Sequence, residues 1–309
     1  MTRLQSVDCG PPSPEAYAKR NMARLRIQHR TEYHYSRPVE LGRHRLVLRP
    51  REGHDLRVES MQLEIAPAHR LVWSRDVFGN SVAIVDFIEA TTRLSIVSDV
   101  VVFRTTPFPQ QEPHEPWRVA YPVSYDPLEV TFTGAYQQVS YPDDVEELRS
   151  WLERTMPAPH PDDAEEVIFA LGTAIHDQIK YQRRSESGVR SPVETLKLAS
   201  GSCRDMATLM MDAGRVLGMA TRFASGYLDC AASLAGRAAM HAWTEFYLPA
   251  LGWRGFDPTI GEPTSLKHVV TGVSNHPRGV MPVSGKFVGS SSDYREMIVQ
   301  VTTESLPSD

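Results

Sequence analysis

Apolar and polar positions alternate along the first third of the chain. Leu25, Ile27 and His29 alternate with polar neighbours, and Tyr33 and Tyr35 continue the pattern. Runs rich in Val, Ile and aromatic residues follow at 45–48, 56–65, 81–87 and 94–103, separated by turn chemistry such as Asp76-Val77-Phe78-Gly79-Asn80. A period of two over short segments predicts antiparallel strands, closed as a β-sandwich or small barrel. Between 105 and 141 proline breaks the pattern, in TTPFPQQEPHEPW and YPVSYDPLEV, and the segment reads as a linker. The period then becomes helical. Tyr141-Pro142-Asp143-Asp144 opens a helix to about residue 155. Asp162-Asp163 opens a second, with Val167, Ala170, Leu171, Ala174, Ile175, Gln178 and Ile179 on one stripe. Acidic residues occupy the first turn of each, where the helix dipole favours them. Pro192 begins a short third helix, with proline at its first position.

The stretch ASGSCRDMATLMMDAGRVLGMATRFASGYL carries the first chemistry. After Cys203, apolar residues recur at Met206, Leu209, Met210, Ala213, Val216 and Leu217, a helical spacing that ends at Gly218 before the strand-like TRFASGYL. Cys203 therefore stands in the first turn of a buried helix. Free backbone N–H groups and partial positive charge gather there, favour a thiolate, and can hold a developing oxyanion. Gly201 would let a substrate approach the backbone closely. A free cysteine is as often an inert buried residue, and Cys230, in a small-residue loop away from any helix start, is assigned no role.

A thiolate needs a base and a group to orient it. In MHAWTEFYLPALGWRGFDPT, His241, Trp243, Glu245 and Tyr247 alternate with Ala242, Thr244, Phe246 and Leu248, and a turn at 249–252 leads to a return strand over 253–256. For Asp257 to reach His241, both must lie on one face of this hairpin, so the loop must hold an odd number of residues. A five-residue loop over 248–252 puts Asp257 diagonal to His241; one over 247–251 puts it directly opposite. The remaining run, TSLKHVVTGVSNHPRGVMPVSGKFVG, reads as a loop covering the sheet, with no catalytic part for His268 or His276. Residues 294–301 alternate again and read as a last strand.

Composition narrows the function. The chain has 309 residues, 41% of them apolar, enough for one large domain or two ordinary ones. A net charge of −5 with no block of one sign predicts neither a nucleic-acid partner nor a basic membrane surface. No run of about 18 apolar residues predicts a membrane-spanning helix. Three cysteines, Cys9, Cys203 and Cys230, and no apolar leader predict a reducing, cytoplasmic setting. His29, His34 and His44 are scattered, and Cys203 stands outside any CxxC or HxxxH spacing, so no metal and no cofactor is expected.

GSCRDMATLMMDAGRVLGMATRFASGYL and HAWTEFYLPALGWRGFDPT together resemble the core of the transglutaminase-like superfamily. They are most similar to its bacterial branch of proteins assigned as cysteine proteases. RIQHRTEYHYSRPV, LRPR and DVFGN resemble that branch's β-rich N-terminal domain. The resemblance implies an α+β fold: a papain-like, transglutaminase-like core, with the cysteine-bearing helix packed on an antiparallel sheet, preceded by a β-sandwich domain. It implies Cys203 as nucleophile, His241 as base and acid, and Asp257 as orienter. Trp243 and Arg204-Asp205 match positions of structural support; Ser202 stands where Val is commoner, and Met240 where an acidic residue is frequent. Ser202, Trp243 and Tyr181 are the expected substrate-facing residues, and Tyr181 or Gln182 would supply an oxyanion donor beside the Cys203 N–H. The expected domains are a disordered extension over 1–21, a β-rich domain over 22–140 with the proline-rich linker at its end, and a catalytic domain over 141–309. The implied reaction is cleavage of a peptide or isopeptide amide through a thioester. Transfer to an amine and a silent interaction module are the alternatives, and a peptide-ligase-like protein is the implied functional partner.

Overall fold

A computed structural model describes residues 22–105, 118–184, 188–230 and 240–307. The extension expected over 1–21 lies outside them, as do Cys9 and residues 106–117 of the proline-rich stretch.

The N-terminal part is a two-sheet sandwich. Strands β1 (Met22–Leu41), β2 (His44–Leu46), β3 (Leu56–Ala66), β4 (His69–Arg75), β5 (Ser81–Phe87) and β6 (Thr91–Thr105) build it. One sheet runs β1–β6–β3, and the other runs β2–β5–β4, all antiparallel. Their inner faces enclose Tyr35, Leu46, Val85, Leu94 and Ile96, the residues that the period of two directs inward.

The second part has helices α1 (Val130–Tyr136), α2 (Val145–Thr155), α3 (Ala164–Gln178), strand β7 (Lys180–Tyr181), α4 (Pro192–Leu198), β8 (Ser200–Gly201) and α5 (Cys203–Val216). Then come β9 (Thr221–Leu228), β10 (His241–Leu248), β11 (Gly252–Asp257), β12 (Glu262–Pro263) and β13 (His268–Ser274). These five strands form one sheet in the order β12–β11–β10–β9–β13. Helix α5 lies against it, with Met206, Leu209, Met210 and Ala213 packed among α2, α3, Phe246 and Phe256. The start read at Asp162-Asp163 is capped, whereas Asp144 before α2 makes no side-chain cap bond. Asp163 accepts from the N–H groups of Glu165 and Glu166, and Ser191 from that of Glu194.

Two expectations change. The run around His268 is a strand rather than a loop. Nearly all of β13 is buried on both faces, which removes the alternation that would have marked it. The segment after 118 packs on the helical part, not the sandwich: Tyr121 N–H bonds the Asp162 carbonyl at 2.9 Å, and Val119, Tyr121 and Val123 join the core around α5. The C-terminal strands also cross back. β14 (Val283–Ser284) pairs with β2, while β15 (Phe287–Val288) and β16 (Tyr294–Leu306) pair with β1.

The two parts meet along the five-stranded sheet that holds β9 and β13. Leu25, Ile27, Val100, Val102 and Val301 pack on Tyr227 and Val269. The DVFGN turn serves the same joint: the Asn80 side chain accepts from the Val273 N–H at 2.9 Å and donates to the Val273 carbonyl at 2.8 Å, so it pairs with β13 as a neighbouring strand would. Among the described residues no helix is long and apolar enough to cross a membrane.

Candidate active site

The cysteine is set by its helix. Ser202 is the N-cap of α5, and Asp205 Oδ2 accepts from both the Ser202 N–H (2.9 Å) and the Ser202 hydroxyl (2.8 Å), a capping-box arrangement. Asp205 is fully buried and also accepts from Arg184 Nη1 at 2.8 Å and from the Arg190 N–H at 2.9 Å. Burial disfavours its charge, but these donors hold its carboxyl below the usual range. Gly201 is required here because a Cβ would meet Asp205 Cβ at 2.9 Å, so its role is to admit the cap rather than a substrate. Cys203, 8% exposed, is the first helical residue and packs with Ala207, Phe223, Ala242 and Val280.

The hairpin satisfies the one-face requirement. Leu248 pairs with Gly252 and Tyr247 with Trp253, leaving Pro249-Ala250-Leu251 as an odd-numbered connection. Asp257 therefore falls opposite Trp243 and diagonal to His241, the first of the two arrangements expected. His241 Nε2 donates to Asp257 Oδ2 at 2.6 Å. Cys203 lies within electrostatic reach of the ring, since its charge is the leading influence that raises the His241 pKa. Burial would lower the His241 pKa, yet the Cys203 charge and the bonds to Asp257 and Cys203 raise it to about 10. Asp257 is completely buried, which opposes its charge, and the His241 and His268 donors hold it far below the ordinary carboxylate range.

Of the residues expected to face substrate, only Tyr181 is open, at 49% exposure. Beyond burial, the Cys203 charge raises its hydroxyl pKa, so it lies within electrostatic reach of the thiol. The parallel pairing of β7 with β8 brings it there: Tyr181 is opposite Gly201, and the Gln182 N–H bonds the Gly201 carbonyl at 2.8 Å. Ser202, 4% exposed, is occupied by the cap. Trp243, 1% exposed, packs edge-on to His268 with centroids 5.1 Å apart and supports the site from behind. Gly226, paired with His241, admits that indole: a Cβ would meet the Val269 carbonyl oxygen at 2.1 Å and Trp243 Cη2 at 2.8 Å.

Sequence reasoning missed His268. It is buried at the start of β13 and donates from Nε2 to Asp257 Oδ2 at 3.2 Å. No local pattern marks it, because only the placement of β13 beside β9 brings it near the hairpin.

Residues 151–258, which contain Cys203, His241 and Asp257, match the family model of the transglutaminase-like superfamily, and residues 25–103 match that of the bacterial transglutaminase-like N-terminal region. The chain belongs to the transglutaminase-like superfamily. A crystal structure of a Cytophaga hutchinsonii protein assigned as a cysteine protease shares this transglutaminase-like fold, with a TM-score of 0.71 and 17% identity over 94% of this chain and 92% of that one. An uncharacterized protein of Mycobacterium tuberculosis is 28% identical over 92% of this chain and 93% of its own length. One from Mycobacterium leprae is 22% identical over 91% and 99%. The transglutaminase-like core and its β-rich N-terminal region thus occur together in a solved neighbour.

Proposed function

We propose that the protein is a thiol hydrolase that cleaves a peptide or isopeptide amide, with Cys203 as nucleophile, His241 as acid and base, and Asp257 as orienter. The observation that carries this reading is the contiguous set itself: a cysteine at a helix start, an imidazole within reach of its charge, and a buried carboxylate 2.6 Å from that imidazole's Nε2. The raised pKa of His241 fits an imidazolium ready to give its proton to the leaving amine.

The thiolate attacks the amide carbon, an S–C bond forms, and the carbonyl π pair moves to oxygen. The Cys203 N–H at the start of α5 is one donor to that oxyanion, and Tyr181 or Gln182 is the second. As the tetrahedral species collapses, the C–N bond breaks and the amine leaves with the His241 proton. Water then gives a proton to His241 while its oxygen attacks the thioester. The C–S bond breaks, releasing the acid and restoring the thiolate–imidazolium pair.

Iodoacetamide labelling of the native protein at pH 6, located by mass spectrometry, is the first test. Cys203 should be alkylated well ahead of Cys9 and Cys230, and His241→Ala should remove the advantage. Equal labelling of all three cysteines would overturn the reading. A peptide-amide screen with and without an added primary amine then separates outcomes: free acid alone means hydrolysis, and a new amide means transfer.

A further inference from the structure

We propose that His268 is a positioning residue for the Asp257–His241 pair, and that Arg104, from the sandwich, locks His268 in turn. This rests on the triad reading above.

The argument begins at Asp257. Its Oδ1 accepts the Thr259 N–H at 2.9 Å. Its Oδ2 accepts two imidazoles, His241 at 2.6 Å and His268 at 3.2 Å. With His241 alone on that oxygen, rotation of the carboxylate could exchange its oxygens and swing the imidazole. The second imidazole, fixed in the core, holds Oδ2 in place. His268 is suited to this because its own orientation is determined. The Ser265 N–H donates to its Nδ1 at 3.1 Å, so that nitrogen carries no proton and Nε2 carries the one directed at Asp257. The ring is 3% exposed and is held edge-on by Trp243 at 76°.

The turn that supplies the Ser265 N–H is held from outside the catalytic sheet. Arg104 lies near the end of β6 and is 9% exposed. Its Nη1 donates to the carbonyls of Leu266 at 2.8 Å, Ser265 at 3.3 Å and His268, and its Nη2 reaches Asp55 Oδ2 at 3.4 Å. Three carbonyls of one turn converge on one cationic nitrogen. An apolar side chain there would leave them facing inward without a donor. The sandwich is thereby joined to the base through Arg104, the 265–268 turn, His268 and Asp257.

The test compares wild type with His268→Ala, His268→Gln and Arg104→Met, each verified folded by circular dichroism. Two readouts are taken: the rate of Cys203 alkylation by iodoacetamide, and the His241 ring N–H resonance in histidine-labelled protein. Misplacement of a reacting group by about 1 Å can cost roughly a hundred-fold. We therefore expect alkylation to fall between about ten- and a hundred-fold in His268→Ala, with the His241 resonance lost or shifted. Gln, which keeps an N–H donor, should recover most of the rate and the resonance, and Arg104→Met should fall between. A merely structural part for His268 would lower the melting temperature without moving the resonance or being rescued by Gln. A His268→Ala protein with wild-type alkylation and an unmoved resonance would overturn the proposal. If His268→Ala does not fold, the Gln and Met variants decide on the same two readouts. If Cys203 in wild type shows no labelling advantage, the triad reading fails instead, and the resonance alone decides whether His268 governs His241.

Discussion

Two histidines show how burial and partners set opposite protonation behaviour. His241 is raised to about 10 against the cost of burial, with Cys203 and Asp257 as the sources. Asp257→Asn keeps the shape but removes the carboxylate, so the His241 midpoint, read by NMR titration, should fall; Cys203→Ala should lower it too. An unmoved midpoint in both variants would contradict the ion-pair description. For stability the sign is fixed: a pKa above the unfolded value of about 6.5 contributes fully below that pH, and the contribution is lost as pH rises through about 10. His29 is the reverse case. It faces from β1 onto β9, its Nδ1 3.2 Å from the Tyr227 hydroxyl and its Nε2 2.9 Å from Thr31 Oγ1. Burial lowers its pKa to about 4. Its contribution is present above the unfolded value near 6.5 and is lost as pH falls toward 4, about 2 kcal/mol between pH 7 and pH 5. Urea melts at the two pH values should show that loss in wild type and much less of it in His29→Gln. A wild type equally stable at both would refute the neutral buried state of His29.

Elements whose information is local were legible in the sequence, and elements defined by distant partners were not. The cap of α3, the start of α4 at Pro192, the start of α5 at Cys203 and the one-face hairpin carrying His241 and Asp257 all follow from residues within a few positions of each other. β13 was read as a loop because its seven residues, nearly all buried, show no alternation, and the short helix α1 was hidden among prolines and turn residues. The function of the cap at α5 was also hidden, because Arg184 reaches Asp205 from a separate loop. That arrangement predicts unequal effects within one capping box. Ser202→Ala removes one hydrogen bond and should cost about 1 kcal/mol. Asp205→Ala removes the ion pair with Arg184 and the acceptor of the Ser202 and Arg190 N–H groups, so a larger cost, about 3 kcal/mol, is expected. Because Cys203 lies in that turn, Asp205→Ala should also slow its alkylation, which Ser202→Ala should barely change. Denaturant midpoints and labelling rates check both, and equal costs would mean that the Arg184 pair contributes little.

At the scale of the whole molecule, chain order and structural units do not coincide. A boundary near 140 places the last strand with the transglutaminase-like part, yet β16 lies along β1 over residues 24–35, and β1 in turn pairs with β6 on its other side. Val301 of β16 sits in the apolar cluster shared with Tyr227 of β9 and Val269 of β13. The chain therefore leaves the sandwich after β6, builds the helical part and its sheet, and returns to finish the sandwich, so the sandwich is incomplete without β16 and the two parts share one apolar cluster. Such interlocking predicts one cooperative unfolding transition, with tryptophan fluorescence reporting the same midpoint as far-ultraviolet circular dichroism. It also predicts that a chain ending at residue 290, which keeps the entire proposed triad, loses solubility or unfolds, because the β1 edge is bared and Leu25 and Ile27 lose the strand beside them. Two separated transitions in the full chain, or a soluble truncated chain with normal Cys203 alkylation, would instead mean that the sandwich is an accessory to a catalytic part that stands alone. With Arg104, Arg51 and Asn80 all reaching from the sandwich to the 265–273 backbone, the single transition is the expected result.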